Sequence, residues 1–398
     1  MRALKSARFG ADFSKLWTAS AVSNVGDGIT MAAGPLLVAS LTSDPALVAG
    51  AAFAQQLPWL IIALISGVYV DRLDRRRLVI VVNLLRGLAL AVLAIAVATS
   101  TASVPLIYLV FFLLGAGETV VDTAFSALVP VTVTPEQLTK ANSRMATTSV
   151  LGNQILAKPL GGWLFAVGAA LPFAADASTF LIAAALTSAA RIPPSGSGHV
   201  GGSVREDIAA GISWLWRHRL LRTLAVTMGV ANVAFCAAFA IFALYAQQRL
   251  GLSEVGYGLL LTTFGLGGLA GSFLAPRLRQ RFGARTLLRG GLIVEICTHT
   301  ILAATTQPLV AAGILLVFGV HSVIWGIIVS TQVQRAVPDE LRGRVGSVYA
   351  LTQVSGAAAG SLLGGLIAQA VTITTPFWVA AAAMTAITVV AWRPLRAA

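Results

Sequence analysis

Asp27, Glu118 and Lys158 each stand inside an apolar run long enough to cross a bilayer. Ionisable side chains at that depth are costly and face a cavity or a partner rather than lipid. At 1.5 Å of rise per residue, Asp27 lies about 20 Å into its helix, Glu118 about 18 Å above the cytoplasmic end of another, and Lys158 about 20 Å into a third. A carboxylate that gains and loses a proton at mid-membrane can couple proton flow to movement of a solute; the competing role for all three is a structural ion pair. Their shared depth leads to the expectation that Lys158 pairs with Asp27 or Glu118 in one conformation. Arg86 and Asp122 sit about 12 Å from the cytoplasmic ends of neighbouring antiparallel helices, which fits a structural or gating ion pair, and Asp122 has a second set of partners in an Asp71–Arg75 cluster. Glu295 and His299 are four residues apart on one helix, with His321 near mid-depth on the next. A local Glu–His pair competes there with a proton relay, because histidine titrates near neutrality. Phe235, Phe239, Phe242 and Tyr245 form an aromatic stripe with Asn232 on the same side. With Asn24, His321 and Trp325 they are either core packing or the wall of a solute site.

Helices must position these groups, and the composition says in what solvent. Of 398 residues, 57% are hydrophobic and 11% charged, with mean hydropathy +0.84; a soluble domain carries about 25% charged residues. Continuous apolar runs such as 171–190 and 286–306 match the length of a spanning helix, whereas a barrel would alternate over short segments. The periodicity places helices near 14–41, 46–70, 78–99, 105–129, 140–167, 171–190, 223–248, 255–275, 286–306, 308–334, 345–371 and 376–392. The run from Leu16 to Leu41 is too long for a signal peptide and is read as the first span. Cys236 and Cys297 lie inside apolar helices and are expected to act as small hydrophobes. The net charge of +13 is distributed by topology: nearly all of the 28 Lys and Arg residues fall in alternate loops. Arg249 lies on the opposite side and Lys158 inside the membrane. Such asymmetry places both termini in the cytoplasm and removes any need for a nucleic-acid partner.

The chain also repeats itself. Pro135, Leu138, Gly161 and Gly162 recur without a gap as Pro338, Leu341, Gly364 and Gly365, and Gly67 recurs as Gly271. A repeat of six helices keeps its orientation, so two parallel copies are expected: a first bundle over 1–190, a linker over 191–222 and a second bundle over 223–398. The linker opens with IPPSGSGHVGGS, a flexible composition. It continues from a capping-box pattern at Ser203–Glu206 into a short amphipathic helix with Ile208, Ile212 and Leu215 on one face, expected at the cytoplasmic interface.

After the second helix the chain reads Gly67-Val-Tyr-Val-Asp71-Arg72-Leu-Asp74-Arg75-Arg76-Arg77, which closely resembles the signature loop of the major facilitator superfamily, G-x-x-x-D-R-x-G-R-[RK]. The departure is Asp74 where the family usually has glycine. Gly26-Asp27-Gly28, Gly117-Glu118-Thr119, Ala127-Leu128-Val129-Pro130 and Pro159-Leu-Gly-Gly162 resemble the branch that holds the enterobactin exporter and the macrolide and multidrug efflux pumps. The fifth helix echoes the antiporter motif G-x-x-x-G-P-x-G-G, with Lys158 in the glycine position before Pro159. The resemblance implies twelve transmembrane helices around a central cavity, with helices 1, 4 and 7 lining it, helix 5 flanking it and helix 9 peripheral. It implies proton-coupled export of a small molecule, drug-like, siderophore or secondary metabolite, by a monomer in the inner membrane. The gating motif would then comprise Gly67, Asp71, Arg72, Arg75 and Arg76, with Arg86 and Asp122 nearby.

An ATP-driven pump would need a phosphate-binding G-x-x-x-x-G-K-[ST] loop, which the sequence lacks. No nucleophile–base arrangement argues for an enzyme, and no cofactor or metal is expected. An uptake symporter for a polar nutrient would want more polar side chains at mid-depth in both halves. A membrane sensor would usually carry a soluble domain.

Overall fold

The computed structural model describes residues 9–70, 73–192, 204–338 and 341–397. Of this, 89% is helical, and the described residues contain no strand. In chain order the helices are α1 (Ala11–Leu41), α2 (Pro45–Val70), α3 (Arg75–Ala98), α4 (Val104–Leu128), α5 (Pro135–Ser149), α6 (Ala157–Val167), α7 (Leu171–Ala189), α8 (Val204–Arg217), α9 (Arg219–Ala240), α10 (Phe242–Gln248), α11 (Glu254–Ala304), α12 (Pro308–Ala336), α13 (Arg342–Ala370) and α14 (Thr375–Ala391). Two of the expected spans are subdivided. α5 and α6 are joined through a π-helical turn, Val150–Leu156, and α9 and α10 are separated at Ile241. Two others are merged: α11 contains the spans expected at 255–275 and 286–306, and the break between them is Gly283, at φ 72°, a backbone region open to glycine. With α8 set apart as the linker helix, twelve rods remain.

The burial pattern is that of a protein in lipid. On α3, Leu88 is 61% exposed while Arg86 is 4% exposed. Apolar side chains turn outward and charge turns inward, because hydrocarbon solvates the first and not the second.

The chain divides into two compact units, residues 1–33 with 61–200, and residues 34–60 with 201–398. In the first, α3 packs on α4 and α7. Its cytoplasmic end is tied by Lys15, which donates to the Ala189 carbonyl (2.8 Å), and by Asp12, which accepts from the Arg191 backbone N–H (3.0 Å). In the second, α11 packs on α12 and α14, and α9 on α13 and α14. There Gly364 admits the α9 backbone so closely that a Cβ would stand 2.1 Å from the Ala237 carbonyl oxygen. Its repeat partner Gly161 admits α1 in the same manner, at 2.6 Å from the Ile29 carbonyl oxygen. The repeat seen in the sequence is therefore a repeat of helix contacts.

The linker helix α8 forms as expected, but its buried side differs. Ile212 is 42% exposed and Leu215 is 2% exposed. The contact runs instead through Gly211 and Leu215, because Gly211 lets α8 lie against the Arg344 carbonyl of α13, where a Cβ would come within 2.6 Å. Ser203 lies outside the described residues.

Candidate functional site

The first unit gathers the intramembrane charges, in a pairing the sequence did not indicate. Arg86 of α3 reaches α1 and donates from a guanidinium nitrogen to Asp27 Oδ1 at 2.7 Å. The expected Arg86–Asp122 pair is replaced by this contact. The reason is room: Gly117 of α4 leaves a channel for the arginine stem, and a Cβ there would meet Arg86 Cδ at 2.7 Å. The guanidinium lies over the Phe180 ring, 4.1 Å from its centroid, in cation–π range. Arg86 is 4% exposed and the Asp27 side chain 22% exposed, so the carboxylate is the accessible half of the pair.

Gly26-Asp27-Gly28 now has a physical account. Gly26 makes space for Asp176 and Thr179 of α7, whose oxygens would lie 2.0 and 2.1 Å from a Cβ. Gly28 lets α1 touch the π turn, where a Cβ would stand 2.6 Å from the Asn153 carbonyl oxygen. The residue between the two glycines is thereby held at the meeting point of α1, α3 and α7.

Asp176 is the member that the sequence reading missed. It is 1% exposed and accepts hydrogen bonds from the hydroxyls of Thr30 (2.6 Å) and Thr179 (3.0 Å). The signal was present, an acid in the middle of the apolar run 171–190. Glu118 is half-buried, and its electrostatic surroundings are Asp27, Arg86, Asp122 and Asp176. Asp122 is exposed and within the fields of Asp27 and Arg86. Four carboxyl groups thus share one guanidinium.

Lys158 stands elsewhere. It is 8% exposed and donates to Gln154 Oε1 at 2.5 Å, one turn back across the π turn. The expected Lys158 pairing with Asp27 or Glu118 is not formed, since Arg86 occupies Asp27 and Gln154 engages the ammonium.

Of the signature loop, Asp71 and Arg72 lie outside the described residues, and Gly67 falls within the helical backbone of α2. Arg76 donates to the carbonyls of Thr187 (3.3 Å) and Ser188, closing the C-terminal end of α7. Arg75 opens α3. Asp74 caps that helix, accepting from the Arg76 and Arg77 backbone N–H groups at 3.0 and 3.3 Å. A residue that departs from the signature therefore has a local reason to be there.

In the second unit Phe235 and Phe239 are half-buried and stacked at 4.1 Å. Phe242 is fully buried against Tyr245, so its ring is part of the core. Asn232 donates to the Gln353 carbonyl of α13, and Asn24 accepts from Ser149 Oγ at 2.8 Å. Both asparagines thus tie helices together. Trp325 and His321 pack edge to face at 5.7 Å.

Residues 8–396 match the family model described as transmembrane secretion effector. The multidrug efflux pump Tap of Mycolicibacterium fortuitum is 26% identical over 383 residues, covering 88% of each chain. The enterobactin exporter EntS of Escherichia coli O1:K1 / APEC is 25% identical over 312 residues, 76% of this chain and 72% of that one. Among solved structures, the nucleoside transporter NupG superposes with TM-score 0.80 at 10% identity, covering 96% of this chain and 99% of that chain. A bacterial homologue of the iron transporter ferroportin in its inward-facing state superposes with TM-score 0.77 at 18% identity, over 96% and 98%. These likenesses agree with the helix count and with the signature loop, and the chain belongs to the transmembrane secretion effector family of major facilitator superfamily transporters.

Proposed function

We propose that this transporter is a proton-driven exporter in which Asp27 takes up the coupling proton and Arg86 is the counter-ion that answers it. The observation that carries the reading is the Asp27–Arg86 contact at 2.7 Å, with three further carboxyl groups in its field. A fully ionised group of this composition would have three uncompensated negative charges in a medium of low dielectric, and such surroundings do not hold them. A proton is the simplest ligand to restore the balance. It would land on the more accessible partner, Asp27, and break the ion pair. Arg86 would then be drawn toward Glu118, Asp122 or Asp176, all of which share its field. That movement shifts α3 against α1 and α4, a local change of the kind that biases a two-state transporter. Titration of the whole group is a property of the cluster rather than of one acid.

The export direction and a drug-like or siderophore-type cargo rest on the similarity to Tap and EntS. The half-buried Phe235–Phe239 face suits an aromatic or apolar solute. Operation as a monomer in the inner membrane with both termini cytoplasmic follows from the loop charges. The test uses inverted membrane vesicles and a panel of aromatic dyes. Acidifying the vesicle interior should drive dye accumulation, and a protonophore should abolish it. Accumulation that needs ATP and ignores the protonophore would overturn the reading.

A further inference from the structure

A second set of titratable side chains lies in the other unit, separate from the Asp27–Arg86 group. Glu295 and His299 stand one turn apart on α11, and His321 faces them from α12. Glu295 Oε1 is 3.4 Å from His321 Nε2, and Glu295 Oε2 is 3.7 Å from His299 Nε2. All three residues are buried, at 8%, 1% and 8% exposure in chain order. Glu295 Oε2 and both ring nitrogens of His299 are buried without a hydrogen-bond partner. Buried polar atoms are rarely left so, because each such vacancy is costly. The space itself is made by Gly291, where a Cβ would stand 2.3 Å from His321 Cε1 and 3.2 Å from Trp325 Cε3.

The neighbouring helices offer little competing charge. α14, which packs along α11, has no ionisable side chain between Thr375 and Ala391. On α9 the ionisable groups are Arg219, Arg222 and Cys236, and on α12 the other is Arg335. On α11, Arg289 lies over the Trp392 ring and donates to the Trp392 carbonyl. Tyr245 of α10 is engaged with the Leu302 carbonyl at 2.6 Å. Tyr257, Cys297, Glu254 and the arginines at 277, 279, 281 and 285 complete α11.

We propose that Glu295, His299 and His321 form a proton-binding site of the second unit, holding one proton between the carboxylate and the imidazoles. One proton turns a buried anion with two neutral rings into a neutral group, which burial favours. It also gives the site the N–H donor that Glu295 lacks in full. A charged His321 would face Trp325 at 5.7 Å and Phe318 at 6.2 Å, near cation–π range. Phe318 in turn lies 5.7 Å from Phe235, so the charge state of the site reaches the aromatic face. The proposal is independent of the role assigned to Asp27.

The full-length protein, labelled with 15N-histidine and held in lipid nanodiscs, tests it by following the ring nitrogens of His199, His218, His299 and His321 from pH 5 to 9. H299Q and H321Q assign the two buried rings. One of these rings should become protonated across that range. In E295Q its protonated fraction at pH 6 should fall about tenfold, the equivalent of one unit, while His218 is unchanged. Gly291→Ala, which removes no titratable group, should reproduce that loss by displacing His321, and D27N should leave the wild-type titration in place. Rings that stay neutral at every pH, or that titrate alike in wild type and E295Q, would overturn the proposal.

Discussion

Arg86 is the residue on which the first unit turns. Removing its partner by Asp27→Asn strands a buried guanidinium, and breaking such a pair costs about 3–5 kcal/mol. The double change D27N with R86Q removes both charges and should restore folded yield above that of D27N alone, read as monodisperse protein recovered from membranes. The same prediction written for Lys158 does not hold in this geometry, since Lys158 is engaged with Gln154. Gly117→Ala tests the channel that admits the arginine stem. Overpacking of this kind costs about 1–3 kcal/mol, and the variant should lose gradient-driven transport as D27N does, with every charge intact. The sequence revealed which side chains are buried and ionisable, because acids in apolar runs are visible by composition. It did not reveal who pairs with whom. Arg86 meets Asp27 rather than Asp122 because glycines at 26, 28 and 117 set the gaps between helices, and those gaps exist only between elements distant in the chain. Arg249, alone on its side of the membrane by sequence, is explained in the same manner: it donates to the Ala304 and Thr305 carbonyls at 3.1 and 3.2 Å and closes the C-terminal end of α11.

Elements form where expected, and their ends and breaks carry the surprises. The helix expected at 140–167 begins at Pro135, where Thr134 and Gln137 make a capping box, and it contains a π turn at 150–156. A π turn leaves little mark on hydrophobic periodicity, so only the packing of α1 on Asn153 exposes it. At the start of α3, Asp74→Ala should lower stability by about 0.5–2 kcal/mol, whereas Asp74→Gly, the family's usual residue, should cost a few tenths. Thermal unfolding in detergent measures both. At the cytoplasmic end of α1, the Arg191 backbone N–H, and then Lys15, hold the Asp12 carboxyl below its usual range. A carboxylate so depressed stabilises the fold above its unfolded pKa, and that contribution is lost as pH falls through the folded value. Wild type should therefore lose thermal stability below about pH 4 more steeply than D12N. Equal slopes would show that the α1–α7 tie does not matter to stability.

At the scale of the whole molecule, the repeat was the most legible feature. Gly161 and Gly364 match in sequence, and both let a helix backbone approach within contact of a carbonyl. Asn24 and Asn232 each tie the first helix of a repeat to the fifth, a symmetry too sparse to read from one chain. Reporter fusions at both termini and within 195–205 should report cytoplasm, and fusions near Asp44 or Pro308 the outside. One reversed half would contradict the parallel repeat.

The central claim is that Asp27 takes the coupling proton, and it separates two activities that a transporter ordinarily performs together. Proteoliposomes with an aromatic dye that the wild-type protein accumulates can measure both: uphill accumulation under an imposed pH gradient, and gradient-free exchange of dye for labelled dye. D27N is predicted to keep exchange within a few-fold of wild type and to lose uphill accumulation. Uphill accumulation by D27N at the wild-type rate would contradict the account.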